Sequence, residues 1–231
     1  MSTMNSVTEY GEFEEKFQET YELFKRNIES DEEVGASFAV YKDGKPIIDL
    51  YGGFQDRDKK ISWNKETMVN VHSTSKGIVA MVVAKLIDNG DLELEKRVCD
   101  YWPEFSENGK NDIKVKTLLS HQAGLYGWRE PLDETDFYKW DYVCELLAKQ
   151  KPFHEPNKEI CYHPKTIGFL VGELIKRITK KSVGKNLHEL LSKPLDAKCF
   201  IGTPEIYHDN IAELISSESL RKAFSNPENV D

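Results

Sequence analysis

Apolar positions near the start of the chain recur at steps of three and four. Tyr10, Phe13, Phe17, Tyr21, Phe24 and Ile28 fall at the spacing of one helix face, and the acidic stretch Glu29 to Glu33 closes it. The pattern predicts a packing helix within residues 1–33. Two short β-prone runs follow, Ala36 to Tyr41 and Pro46 to Tyr51, separated by Lys42-Asp43-Gly44-Lys45. Asp-Gly favours the positive φ angles of a tight turn, so these runs predict a β-hairpin. Residues 52–70 are mostly polar and irregular. From Ile78 to Ile87 the chain is apolar on nearly every side, and Asn89-Gly90 supplies a left-handed stop. A helix apolar all round predicts a central position. Weaker helices are expected at Val115 to Ser120, Trp140 to Lys149, Thr166 to Thr179, Asn186 to Leu191 and Ile211 to Ala223, with a frayed tail from Phe224 to Asp231.

This order of helix, hairpin and long helical stretch predicts an α+β fold in which a helical region packs on an antiparallel sheet. Only the N-terminal hairpin of that sheet is evident. A two-stranded ribbon is marginal in water, so other strands, a helix layer or a second chain must cover it. At 231 residues the chain has the length of one domain. Its expected parts are an N-terminal helix (1–33), a motif-bearing core (34–205) and a short helix with a tail (206–231).

Charge and cysteine usage narrow the function classes. Lys and Arg number 31 against 40 Asp and Glu, a net charge of -9, with no basic cluster that would neutralise a run of phosphates. Nucleic acid is therefore not an expected partner. No apolar run reaches the roughly 18 residues that span a bilayer, and the polar opening MSTMNSVTEYGEFEEKF has no secretory core. A soluble, intracellular, cytoplasmic protein is expected. Cys99, Cys144, Cys161 and Cys199 are widely spaced and form no C-x-x-C. They read as free thiols in a reducing compartment rather than as a zinc or redox motif.

The chemistry-bearing pattern is Ser-x-x-Lys, in which residues three apart on a helix let a lysine reach a serine hydroxyl. It occurs four times, at Ser62 to Lys65, Ser73 to Lys76, Ser182 to Lys185 and Ser219 to Lys222. Only Ser73-Thr74-Ser75-Lys76 directly precedes the fully apolar helix, where burial would lower the lysine pKa and shield an acyl intermediate. The bland alternative makes Ser73 a helix cap and Lys76 a solvated cation. Gly35-Ala36-Ser37-Phe38-Ala39 is a failed G-x-S-x-G, and Gly52-Gly53 and Gly124-Leu125-Tyr126-Gly127 are too sparse for a phosphate cradle. His72 and His121 flank the site without metal-ligand spacing, so neither metal nor cofactor is expected. The aromatic stretch Tyr126, Trp128, Phe137, Tyr138 and Trp140 reads as core packing or as the lining of an acyl pocket.

The text around Ser73, HSTSKGIVAMVVAKLIDNGDLELEKRVCDYWPEF, resembles the nucleophile segment of class C-type β-lactamases and related esterases. Leu118-Leu119-Ser120-His121-Gln122-Ala123-Gly124-Leu125 resembles that family's Leu-Leu-Thr-His-x-Ser-Gly-Leu signature. CYHPKTIGFLVGELIKRITKKSVG is similar to its second catalytic motif, with Tyr162 as the tyrosine. The resemblance covers about Ser37 to Thr203. It implies a β-lactamase/transpeptidase-like fold and a serine hydrolase of the penicillin-binding-protein group. In that reading Ser73 attacks an ester, amide or lactam carbonyl, Lys76 and Tyr162 share the base work, and water later releases the acyl group.

Two departures matter. Pro164 stands where the family's Tyr-x-Asn has asparagine, and Tyr162-His163 resembles an esterase-like branch, which favours esters; His163 itself reads as a packing or surface residue. No Lys- or His-Thr/Ser-Gly motif follows Thr203. The resemblance implies that the strand bearing it supplies one oxyanion donor, whose loss costs about 10² to 10³ in rate. Reduced activity is therefore expected, in a fragment, an isoform or a degenerate copy. The competing expectation is a non-catalytic member that binds or forms a homo-oligomer through an open sheet edge.

Overall fold

A computed structural model of the chain describes residues 5–216. They fall into two compact units, one made of residues 5–70 with 204–216 and the other of Val71–Thr203.

The first unit is built on a four-stranded antiparallel sheet in the order β1-β2-β4-β3. Its strands are β1 (Asn5–Thr8), β2 (Gly11–Glu14), β3 (Gly35–Lys42) and β4 (Lys45–Gly53). The expected hairpin is β3–β4, paired from Gly35↔Gly53 to Lys42↔Lys45 with an irregularity at Val40/Tyr41. Its turn residues Asp43 and Gly44 take φ of 50° and 74°, as the Asp-Gly signal requires.

The expected N-terminal helix is corrected over its first half. Residues Gly11–Glu14 are strand, Glu15–Phe17 form a 3-10 turn, and only Gln18–Glu29 is α-helix (α1). Gly11 has φ +110°, and a Cβ there would lie 2.2 Å from the Asp49 carbonyl oxygen, so the backbone at this point must run against β4 rather than coil. The apolar spacing still describes a single cluster. Phe13, Tyr21, Ile48 and Leu50 are buried, with Tyr10, Phe17, Phe24 and Val40 packed on them. Phe13 and Tyr21 stack at 4.7 Å between ring centroids. Strand and helix both contribute to one apolar face, which a helical period alone does not separate. The extra strands and α1 also supply the cover the hairpin needed.

Ile211 is not helical as expected: it makes a parallel bridge to Met68, flanked by Met68 N–H to Asn210 O and Ala212 N–H to Met68 O. A second chain segment next to Met68 satisfies those backbone groups as extended structure. Residues 212–216 form no helix either, and the rest of that expected helix and the expected tail lie outside the described residues.

The second unit is helical. Its elements are α2 (Ser75–Asp88), α3 (Val115–Leu119), α4 (Trp140–Lys149), α5 (Thr166–Thr179) and α6 (Val183–Leu187). α4 and α5 match their expected bounds, and the helix expected at Asn186 is α6 followed by a π-helical turn, His188–Ser192. α5 is the hub, burying Ile167, Leu170, Val171, Leu174 and Ile175. Cys144, Leu147, Leu118, Trp102 and Phe105 belong to the same core. Gly172 is required where Trp140 crosses α5, since a Cβ would lie 2.5 Å from the indole. Glu173 is the charge admitted to this core, held by Trp140 Nε1–H at 2.7 Å and Arg177 Nε–H at 2.8 Å. Buried Lys110 donates to the carbonyls of Glu107 and Gln150, and burial pushes its pKa down to about 8.

The expectation of a fully buried α2 is corrected. Only Val82, Val83 and Leu86 are buried, and Met81 is 49% exposed. Lys76, Ala80, Ala84 and Ile87 line an open apolar cavity of about 960 Å³ facing α5 and α6.

Leu174 is wholly buried at the centre of the helical core. Replacing it with alanine is expected to cost about 3 kcal/mol, within the 2–5 kcal/mol range of buried leucine truncations. Urea unfolding followed by far-ultraviolet circular dichroism checks this, and a cost under about 1 kcal/mol would contradict the packing described.

Candidate active site

Ser73 lies in a 3-10 turn, His72–Thr74, that leads directly into α2. Lys76 is the second residue of α2, three positions beyond Ser73, a spacing that brings its side chain back over the turn. Lys76 Nζ donates to Ser73 Oγ at 3.0 Å. Tyr162, from the irregular segment that precedes α5, donates its hydroxyl to the same oxygen, also at 3.0 Å. Three side chains named from the sequence, 89 residues apart at the extreme, therefore meet on one atom. Ser73 and Tyr162 are exposed and Lys76 is half-buried. The Lys76 ammonium beside the phenol, followed by its bond to Ser73, holds the Tyr162 pKa below the ordinary tyrosine value.

The other Ser-x-x-Lys matches have structural explanations. Lys65 pairs with Asp49 at 2.6 Å and makes no bond to Ser62. Ser182 is the N-cap of α6, its Oγ accepting from Lys185 N–H. Ser219 to Lys222 lies outside the described residues.

Two histidines complete the surroundings. The His121 ring lies tilted against its neighbours, 5.1 Å from the Tyr162 ring and 5.3 Å from the His163 ring between centroids. Burial first, and then the nearby Lys76 charge, lowers its pKa. Expected as a packing or surface residue, His163 is fully buried and bonded at both ring nitrogens. Its Nε2 accepts from Leu125 N–H at 3.0 Å and its Nδ1 lies 2.5 Å from the Cys161 carbonyl. A cation would place an N–H against the Leu125 N–H, and burial drives its pKa down to about 4. The signal that could have found it is the Tyr162-His163 adjacency, read together with the His121 to Leu125 loop. Backbone strain sits beside the nucleophile too: His72 and His121 have φ of 44° and 61°, left-handed values uncommon outside glycine.

Residues 22–220 match the β-lactamase family model. The chain belongs to the β-lactamase family. Among curated proteins, the family member LipL of Mycobacterium tuberculosis, an esterase/beta-lactamase, is 35% identical over 162 residues, which are 70% of this chain and 37% of LipL. A solved family VIII carboxylesterase is 39% identical with a TM-score of 0.83, covering 88% of this chain and 56% of the other. A penicillin-binding protein homolog from Caulobacter crescentus is 33% identical with a TM-score of 0.85, covering 94% and 61%. The fold is thus the β-lactamase/transpeptidase-like α+β fold expected from the sequence. The chain spans little more than a third of LipL and just over half of these solved relatives.

The neutral burial of His163 has a pH consequence. Its folded pKa of about 4 lies below the ordinary 6.5, so on acidification the unfolded chain takes up the proton first. Stability from this residue is full above about pH 6.5 and falls as the pH drops toward 4, by up to about 3 kcal/mol. Urea midpoints at pH 7 and pH 4.5 are expected to converge in His163→Gln relative to the unsubstituted chain; an unchanged pH dependence would contradict the burial.

Proposed function

We propose that this chain is a β-lactamase-family serine hydrolase acting on esters through an acyl-serine intermediate. The carrying observation is Ser73 Oγ at 3.0 Å from both Lys76 Nζ and Tyr162 Oη. In the reactive state Tyr162 is a phenolate held by the Lys76 ammonium. It takes the Ser73 proton as Oγ attacks the carbonyl carbon. The oxyanion rests against the Ser73 amide. Collapse expels the alkoxide, which leaves with the proton returned by Tyr162, and water attacks the acyl-serine with the same base.

Ester preference is supported by the names of the relatives, a carboxylesterase and an esterase/beta-lactamase. Amides and lactams are the harder substrates in this reading.

A second reading, assembly through the sheet, draws on β3. It is the outer strand of its sheet and exposes Phe38 (44%) and Tyr41 (65%). An edge that no other described strand pairs, with exposed apolar side chains on it, favours pairing with a second copy. In sedimentation the Phe38→Lys variant then runs as a smaller species than the unsubstituted chain; identical behaviour sinks this reading.

For the catalytic reading, hydrolysis of an activated ester is followed across pH. Ser73→Ala is expected to abolish it. Tyr162→Phe is expected to lower it by about 10² to 10⁴ and to remove the rise of rate with pH. In the unsubstituted chain that rise reaches its plateau below the ordinary tyrosine pKa, because Tyr162 is lowered. Undiminished rates in Ser73→Ala would reject Ser73 as nucleophile.

A further inference from the structure

We propose that His121 and His163 are positioning residues: His121 grips the chain on both sides of Tyr162, and His163 locks that grip, so that the phenol stays on Ser73. The inference rests on the catalytic reading above for its consequence but on geometry for its content.

The residue before Tyr162 and the residue after it bond to one and the same partner. Cys161 N–H donates to the His121 carbonyl at 3.1 Å, and His163 N–H donates to His121 Nδ1 at 3.1 Å. Tyr162 is bracketed, and its ring sits 5.1 Å from the His121 imidazole at a tilt of 54°. Two bonds on opposite flanks fix both the height and the rotation of a segment that has no helix or sheet ladder of its own. Half-exposed Tyr162 has little packing to hold it otherwise.

The side chain of His163 then closes the loop. It bonds back to Cys161 O and across to Leu125 N–H, tying the Tyr162 segment to residues 121–125. That loop is itself anchored, with Phe153 N–H donating to Gly124 O and Asn157 N–H to Gln122 O. Gly124 takes φ +69° and has the His154 carbonyl 2.6 Å from where a Cβ would stand, so the two backbones run close together and only glycine fits there.

These bonds also set the protons. His121 Nδ1 accepts, so its proton is on Nε2. His163 Nε2 accepts, so its proton is on Nδ1, donated to Cys161 O. Neither ring can become a cation without losing a bond of the clamp. The groups facing His163 are His121, His154 and the Tyr126 ring; those facing His121 are Lys76, Tyr162 and His163. Nothing acidic is among them to favour protonation.

Glutamine can mimic His163 Nε2 as the acceptor for Leu125 N–H. Asparagine can mimic Nδ1 but not reach Leu125. Leucine keeps bulk and loses both bonds. The readout is the ionisation of Tyr162, taken as the phenolate absorbance of each variant minus that of the same variant carrying Tyr162→Phe. It needs no turnover. In the unsubstituted chain and in His163→Gln, Tyr162 is expected to titrate below the ordinary tyrosine value. In His163→Leu and His163→Asn it is expected to move back toward that value as the phenol leaves Lys76.

Alongside, Ser73 acylation by an activated ester should fall about 100-fold in His163→Leu with the ester's half-saturating concentration unchanged, and recover in His163→Gln. If Tyr162 titrates identically in folded His163→Leu and in the unsubstituted chain, the proposal is overturned. Should His163→Leu fail to fold, the glutamine and asparagine variants carry the comparison: equal Tyr162 titration in those two overturns it. If the titration moves as described while Ser73 of the unsubstituted chain takes no acyl group, positioning stands and the catalytic reading falls.

Discussion

Ser73 Oγ accepts two hydrogen bonds at once, from Lys76 and from Tyr162, and this shared acceptor is the constraint on which the site depends. A serine hydroxyl has two lone pairs, so both are committed before a substrate arrives. The donors are an ammonium and a phenol in mutual contact, and their coupling makes the phenol the more acidic. Such an arrangement tolerates little displacement: an error of about 1 Å costs on the order of 10² in rate. It is nevertheless displayed on the surface, where packing cannot enforce it. Enforcement comes from backbone bonds and from a buried histidine just behind it.

The helical core explains how that is achieved. α2 and α5 each begin at the site, one just after Ser73 and the other shortly after Tyr162. Their buried rows, Val82, Val83 and Leu86 on α2 and Ile167 to Ile175 on α5, belong to a single core with α3 and α4. The loop between α3 and α4 brings His121 under Tyr162. Packing thus fixes the helix starts, and local hydrogen bonds convert that into side-chain placement. The strained φ values at His72 and His121 are affordable because the rest of the unit over-determines them.

Much of this was legible in the sequence, for identifiable reasons. The long helices α4 and α5 follow strong apolar periods, and the β3–β4 hairpin follows Asp43-Gly44. Ser73 and Lys76 stood out from three decoys by the apolar helix that follows them, Tyr162 through the resemblance of its segment to a family motif, and the structure brings these residues together. The N-terminal strands were missed because Tyr10, Phe13 and Phe17 keep a helical spacing while lying in a hairpin turn, a strand and a 3-10 turn around one cluster. The conformation of Gly11, set by contact with Asp49, is a long-range fact that no local period encodes. The role of His163 was hidden for a similar reason. Its partners, His121 and Leu125, lie about 40 residues away in sequence. Nor did apolarity alone tell that α2 would be covered on one face only.

The most direct test of the account is to weigh the intact chain after exposure to an activated ester and to map the modified peptide, with Ser73→Ala as control. The account predicts one acyl group on the peptide containing Ser73, absent from the control although the control remains folded. An unmodified but folded chain, or an acyl group placed on Ser62, Ser182 or a surface lysine instead, would contradict it.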